Sequence, residues 1–493
     1  MKKFTKVIVS AVAAVGIVGA ALGVHFGYAK TTDEEVKTYS VETNGEPLKV
    51  AVISDLQLPD STDNTTHQYE SFEKTLTMLR DKGMDALIIG GDFTDVGTKK
   101  AWGTYKEIYD KVMADYDKPI PLYILGNHDY WLPDFISCFE IPTPATQQKR
   151  FTKYTGELPY SHKVINGYHF ICWSSSDGSY DKSYTNKDWI RGELDKAVAD
   201  TPDKPVFVIT HLNPQDTAYG SDEWGNSDIT DVLKDYSQVI SLSGHSHYSL
   251  IDERSIWQGD FTAFTTQSLD YIELEHSKFN DSVPKDAYGN SMADKLPGCI
   301  YMEIEDSKVT VHRLEANTGK ELKDAWVIEA PFGSAESLSK YSDARSNSNQ
   351  APVIDRNLSV AVSDIKDIDG NAQKMISFNA ASDDDFVHSY KLEFCDENKK
   401  LLEFEETDYS NHVIHYDENG EKIRFDNKNY ENGSPKKITE VTYFSDYILG
   451  LDNMSDTVEL RLPDNIPENA KYVVITAIDS WGAESNAVTC ELK

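Results

Sequence analysis

Between residues 48 and 247 one pattern recurs: an apolar run stops abruptly, and residues able to bind a cation or move a proton follow at once. Residues 121–125 are such a run, and Gly126, Asn127, His128 and Asp129 follow it. Residues 48–54 lead into Asp55 and Gln57, and 85–90 into Gly91, Asp92 and Asp95. Residues 205–210 end at His211, and 238–243 at Gly244, His245, Ser246 and His247. Each run is short enough to be a buried strand. In an open α/β sheet the loops at the carboxyl ends of the strands converge, so ligands bind there. Alone, each of these residues reads as a turn, a helix cap or a hydrogen-bonded structural group. In order, each after an apolar run, they read as one site.

The segments between the runs support this architecture. Tyr69, Phe72, Leu76 and Leu79 fall at helical spacing, and 99–115 and 186–199 also read as helices. Strand–helix–strand order predicts a parallel sheet with right-handed crossovers. Residues 160–164 and 168–173 read as strands walling the cleft, and 261–266, 299–304 and 309–314 as antiparallel strands closing a second sheet.

The donor set is mixed: carboxylate, amide oxygen and imidazole. Divalent Mn, Fe, Zn or Mg ions accept such mixtures. Two cations about 3.5–4 Å apart can clamp the attacking and leaving oxygens of a phosphoryl transfer. An anion must bridge such cations to relieve their repulsion, and Asp92 is the candidate. With 82 acidic against 48 basic residues the net charge is −34, which argues against a nucleic-acid partner. The same charge repels anionic substrates, so a phosphate-handling site in this chain calls for metal ions.

These residues and their order resemble the calcineurin-like metallophosphoesterases, over roughly residues 48–320. The resemblance implies that Asp55, Gln57 and His247 bind one metal ion, that Asn127, His211 and His245 bind a second, and that Asp92 bridges them. It implies that His128 and Asn127 contact the substrate, that His128 protonates the leaving oxygen, and that Asp129 orients His128. The nucleophile would be a metal-bound hydroxide, and the substrate a small phosphate mono- or diester, nucleotides included. Gln57 departs from the commoner pattern, which has histidine there. Glutamine occurs at this place in branches that look like nucleotide-diphosphate hydrolases. The implied fold is α/β, a four-layer β-sandwich flanked by helices, over residues 48–330. The rival reading is a non-catalytic surface protein with a structural metal centre and a ligand-binding β-sandwich, which would not need an imidazole aimed at substrate.

Other hydrolase chemistry is excluded by single residues. Tyr248 stands where a Gly-x-Ser-x-Gly elbow needs glycine, and no cysteine is followed six residues on by arginine. Asp367-Ile368-Asp369-Gly370 reads as a surface turn, and Ile365 spoils the calcium-loop pattern there. The five cysteines, Cys138, Cys172, Cys299, Cys395 and Cys490, lack paired spacing and read as buried hydrophobes.

Residues 1–29 read as a signal peptide: Lys2, Lys3 and Lys6, an apolar run over 7–24, then small-x-small cleavage after Ala29. The alternative is an uncleaved anchor, because the run nears the spanning length of about 20 residues. The chain is therefore expected to be secreted or extracytoplasmic. Residues 30–47 and the serine-rich 331–350 read as linkers. Beyond them, 351–493 reads as a smaller all-β sandwich, with alternating strands at 358–362, 374–379, 389–394, 441–448, 457–462 and 471–478. Its closing stretch, 472–485, resembles the final strands of a fibronectin type III domain, a module suited to contact with the cell surface or wall.

Overall fold

The computed structural model describes residues 35–61, 64–131, 143–180, 182–275, 284–405 and 437–492, with short strands at 414–416, 422–424, 430–431 and 434–435. The expected signal peptide and Cys138 lie outside the described residues.

Two sheets make up the larger unit. In the six-stranded sheet Leu48–Ile53, Ala86–Ile89 and Ile120–Tyr123 run parallel, and Gly298–Glu305 joins Leu48–Ile53 antiparallel. Lys308–Glu315 and Glu321–Glu329 extend that sheet. In the seven-stranded sheet Tyr168–Trp173, Val206–Thr210, Val239–Ser243 and Thr262–Thr265 are parallel neighbours, and Tyr160–Ile165 pairs antiparallel with the first of them. The strands marked by their apolar runs are thus the ones whose carboxyl ends carry the candidate ligands.

Three hydrophobic clusters hold this unit together. One draws Val50, Val52, Ile88 and Leu122 from the first sheet and Phe170, Phe207, Ile209 and Leu242 from the second. Another packs Phe72, Leu76 and Leu79 of the His67–Lys82 helix, and Trp102, Tyr105 and Ile108 of the Lys99–Val112 helix, onto Ala51, Ile53 and Leu87. The third sets Ile190, Leu194 and Ala197 of the Lys187–Asp200 helix against Val206 and Val208. Alternate residues of one strand therefore enter different clusters, as the period of two requires. Thr66 and Thr98 cap the first two helices through their hydroxyls.

The described cysteines, Cys172, Cys299, Cys395 and Cys490, are buried thiols. Two segments expected to be linkers are structured. Lys37–Tyr39 pairs parallel with Tyr160–Ile165 at the sheet edge. Within 331–350, Phe332 and Tyr341 enter the core between the sheets, and Arg345 donates to the Glu253 and Ile256 carbonyls. Serine-rich composition suggested a free tether, but two apolar anchors and one guanidinium outweigh it.

The C-terminal unit has a three-stranded sheet (Ala361–Lys366, Ala372–Asn379, Thr457–Arg461) and a four-stranded one (Glu440–Phe444, Val387–Cys395, Tyr472–Asp479, Val488–Glu491), sharing one cluster around Ile376, Phe394 and Ile475. The strand expected over 358–362 runs instead over Ala361–Lys366, and it ends where Asp367 folds a tight turn by accepting from the Asp369 and Asn371 amides. The strand expected over 441–448 stops at Phe444, where Ser445 caps a helical turn, Asp446–Leu449. That turn carries Tyr447 and Ile448, which pack with Phe386 and Phe444 against Ile251, Ile272, Leu274 and Leu296 of the larger unit.

Candidate metal centre

The loops after the first two parallel strands run side by side: Asp55 N donates to Gly91 O (3.1 Å) and Gln57 N to Asp92 O (2.9 Å). This pairing, continued past the strand ends, holds Asp55, Gln57 and Asp92 at φ of 54°, 42° and 49°. His245 and His247 are left-handed too, at 68° and 54°. Non-glycine residues seldom adopt this region, and strain of this kind clusters at functional sites. The flanking glycines make room. A Cβ on Gly126 would lie 2.1 Å from Asp92 Oδ1, and one on Gly244 2.6 Å from Asp55 Oδ2.

His211 is the centre of the arrangement. Its Nδ1–H donates to the Gly90 carbonyl (2.8 Å), and its backbone N–H to the Tyr184 hydroxyl (3.0 Å). Nε2 is thereby aimed at oxygens: Asn127 Oδ1 at 2.9 Å, Asp92 Oδ2 at 3.1 Å and Asp55 Oδ1 at 4.0 Å. Ligand atoms of Asp92, His211 and His245 all lie within 4.8 Å of one another. To one side, His247 Nε2 is 3.1 Å from Asp55 Oδ1. The structure thus brings Asp55, Asp92, Asn127, His211, His245 and His247 together.

The buried carboxylates and imidazoles set one another's protonation. Burial pushes the Asp55 carboxyl up, but His247 outweighs it and the net shift is down; Asp92 behaves likewise beside His211. Burial lowers His211, yet the Asp92 charge carries it to about 9. Burial and the neighbouring His211 charge hold His245 well below its usual range, neutral with a lone pair to give. His245 Nε2, His247 Nδ1 and the amide nitrogens of Gln57 and Asn127 are buried without a hydrogen-bond partner among the described residues. Such orphans are costly unless something polar fills the space between them. Two anionic carboxylates, a neutral imidazole and amides around one space fit divalent metal ions.

His128 sits beside this cluster. Its backbone N–H donates to Asp92 Oδ1 (2.8 Å), and its Nδ1 lies 2.9 Å from Asp95 O. Burial lowers the imidazole, but the Asp92 charge and the Asp95 hydrogen bonds raise it to about 9. The Asp129 carboxylate is not turned to the His128 ring, contrary to expectation. Its Oδ1 accepts from Thr94 N (3.1 Å) and Oγ1 (2.9 Å), and its Oδ2 from Gly126 N (3.0 Å). After Asn127 the chain makes a helical turn, His128–Tyr130, so neighbouring side chains diverge, one to the cleft and one to the core. Burial and the Asp92 charge raise Asp129 to about 7. Asp95, which could equally have capped a helix, is the group facing His128. Tyr184, which holds the His211 backbone, carries no sequence signal.

Residues 48–249 match the family model described as calcineurin-like phosphoesterase. The chain is 28% identical over 237 residues, 46% of this chain and 68% of the relative, to a Rhodococcus erythropolis protein named "Probable cyclic nucleotide phosphodiesterase". Among solved structures it is similar to a conserved uncharacterized protein from Streptococcus pneumoniae, at 12% identity and TM-score 0.25 over 57% of this chain and 97% of that one. It is also similar to Vacuolar Protein Sorting 29 from Cryptosporidium parvum, at 12% identity and TM-score 0.27 with the same coverage. Likenesses at those scores bear on nothing further. Residues 48–249 are a calcineurin-like phosphoesterase domain, and the chain is a phosphoester hydrolase, so the non-catalytic alternative is set aside.

Proposed function

We propose that this domain hydrolyses small phosphate mono- or diesters, nucleotides among them, at a centre of two divalent cations outside the cytoplasm. The observation that carries the reading is the convergence of Asn127, Asp92 and Asp55 oxygens on His211 Nε2, beside the neutral His245. Asn127, His211 and His245 would hold one cation, Asp55, Gln57 and His247 the other, with Asp92 shared. Mn, Fe, Zn and Mg all suit such donors. When bound, the cations would lower the pKa of water and neutralise phosphate charge.

The chain's own residues orient the ester and handle the proton. His128 Nδ1–H donates to the Asp95 carbonyl, which fixes the ring and leaves Nε2 for substrate. Protonated Nε2 gives its proton to the leaving oxygen as the P–O bond breaks. Asp95 keeps that proton available by its charge, 3.4 Å from Nδ1. The Asn127 amide nitrogen, buried without a partner among the described residues, is suited to donate to a phosphoryl oxygen. The relative named as a cyclic nucleotide phosphodiesterase supports including nucleotides.

Export rests on residues 1–29, and mass spectrometry of the mature chain should find an N-terminus at Lys30. We read the C-terminal unit as a fibronectin type III-like sandwich in contact with the cell surface or wall. The decisive assay screens the full chain, stripped and reloaded with each divalent metal, against phosphomonoesters, diesters and nucleotides. Chelation should abolish turnover and reloading restore it. No hydrolysis of any ester under any metal would overturn the proposal.

A further inference from the structure

Four aromatic rings stand against the imidazoles of the site without belonging to its ligand set. Trp131 lies on His128, ring centroids 3.9 Å apart. Tyr180 and Trp224 flank His245 at 5.2 and 5.8 Å, and lie 6.4 Å from each other. Tyr271 lies 4.4 Å from His247. Each comes from a separate loop: after the Gly126–Asp129 turn, after the Tyr168–Trp173 strand, from the Ser221–Trp224 turn, and after the Thr262–Thr265 strand.

Packing alone would bury such rings, as it does Trp102, Trp173 and Tyr105. Trp131 and Tyr180 instead remain 42% and 45% exposed. A single exposed aromatic needs no explanation. Two from distant loops, each laid against a different imidazole of one centre, do. The net charge of −34 sharpens the point, because the protein's long-range field repels a phosphorylated substrate. Its affinity needs a short-range contribution that net charge does not cancel, and stacking on an aromatic face is one.

We propose that the substrate carries a planar aromatic ring, a nucleobase, beside its phosphate ester, and that Trp131 and Tyr180 hold that ring with Trp224 behind. The inference rests on the phosphoesterase reading above and names the substrate class of the same site. Tyr271, against the ligand His247 and half-buried, orients that imidazole and is not part of the ring clamp.

Adenosine 5′-monophosphate and ribose 5-phosphate share one primary phosphate ester and differ by the base; their methyl esters make the matching diester pair. The metal-loaded full chain should turn over the base-bearing member of a pair with higher kcat/KM, by roughly 5- to 150-fold per stacked ring. Tyr180→Ala combined with Trp131→Ala should collapse that ratio toward one. Tyr180→Phe, which keeps the ring, should preserve it. A wild-type ratio near one, or a ratio that survives loss of both rings, overturns the inference while leaving the phosphoesterase reading intact. Failure to hydrolyse any ester would remove both.

Discussion

His128 Nδ1 lies 2.9 Å from the backbone carbonyl of Asp95 and 3.4 Å from its carboxylate. The bond to the carbonyl survives any change of side chain, whereas the charge does not. Asp95→Asn should therefore keep the ring oriented but make the imidazolium easier to deprotonate. The basic limb of the kcat/KM profile should move to lower pH, since the acid form is then lost earlier as pH rises. An unmoved limb would mean that the Asp95 charge plays no part.

Asp129→Ala should act on stability. It removes the acceptor for the Thr94 and Gly126 amides, both buried. An orphaned buried donor costs about 1–3 kcal/mol, readable as a lower urea midpoint. A variant as stable as the wild type would show that water satisfies those amides.

His128→Ala should lower the rate by about 10²–10⁴-fold. The loss should be smaller for aryl than for alkyl esters, because a good leaving group needs less protonation. Metal content should stay at the wild-type level. Equal losses for both ester types would leave His128 a positioning role only.

Gln57 offers an amide where imidazole would bind zinc more tightly. If Gln57 is a ligand, the proposed site of Asp55, Gln57 and His247 should favour Mn²⁺, Fe²⁺ or Mg²⁺ and release its ion before that of Asn127, His211 and His245. Gln57→His should tighten that site and shift it toward Zn²⁺ in titrations of the stripped protein. Identical affinities and metal order in both proteins would show that Gln57 is not a ligand.

Away from the site, Glu193, His162, His169 and Asp200 form a hydrogen-bonded chain of 2.7, 2.8 and 3.1 Å links. Burial holds both imidazoles below the usual value of 6.5 in the folded protein. The unfolded chain accepts their protons first. Their contribution is thus full above 6.5 and is lost as pH falls through that value toward the lowered folded ones. Urea midpoints at pH 7.5 and 5.5 should differ more in the wild type than in His169→Gln; equal differences would show that His169 does not titrate in this range.

The convergence of the candidate ligands was legible because the sheet does the positioning: an apolar run fixes a strand, and its end must fall at the cleft. Direction within a turn was not legible, so Asp129 stood where Asp95 belongs. His128 and Asp129 are adjacent, yet one points to the cleft and the other to the Thr94 amide. The aromatic rings were hidden too, because Trp131, Tyr180, Trp224 and Tyr271 share no spacing and reach the imidazoles only through the fold. Composition misled at 331–350, where Phe332 and Tyr341 supply core anchors that the serines conceal.

The left-handed residues of the centre give the proposed metal ions a second consequence. Asp55, Gln57, Asp92, His245 and His247 each hold a backbone shape that a free chain would leave, at on the order of 1 kcal/mol or more apiece. The stripped protein bears that load, together with two facing carboxylates, without recompense. An ion that binds only the folded chain adds about 2.7 kcal/mol when present at a hundred times its dissociation constant. Metal supply should therefore govern how long the enzyme lasts as well as how fast it works, and a chelated sample should melt earlier and be cut sooner by protease at these loops.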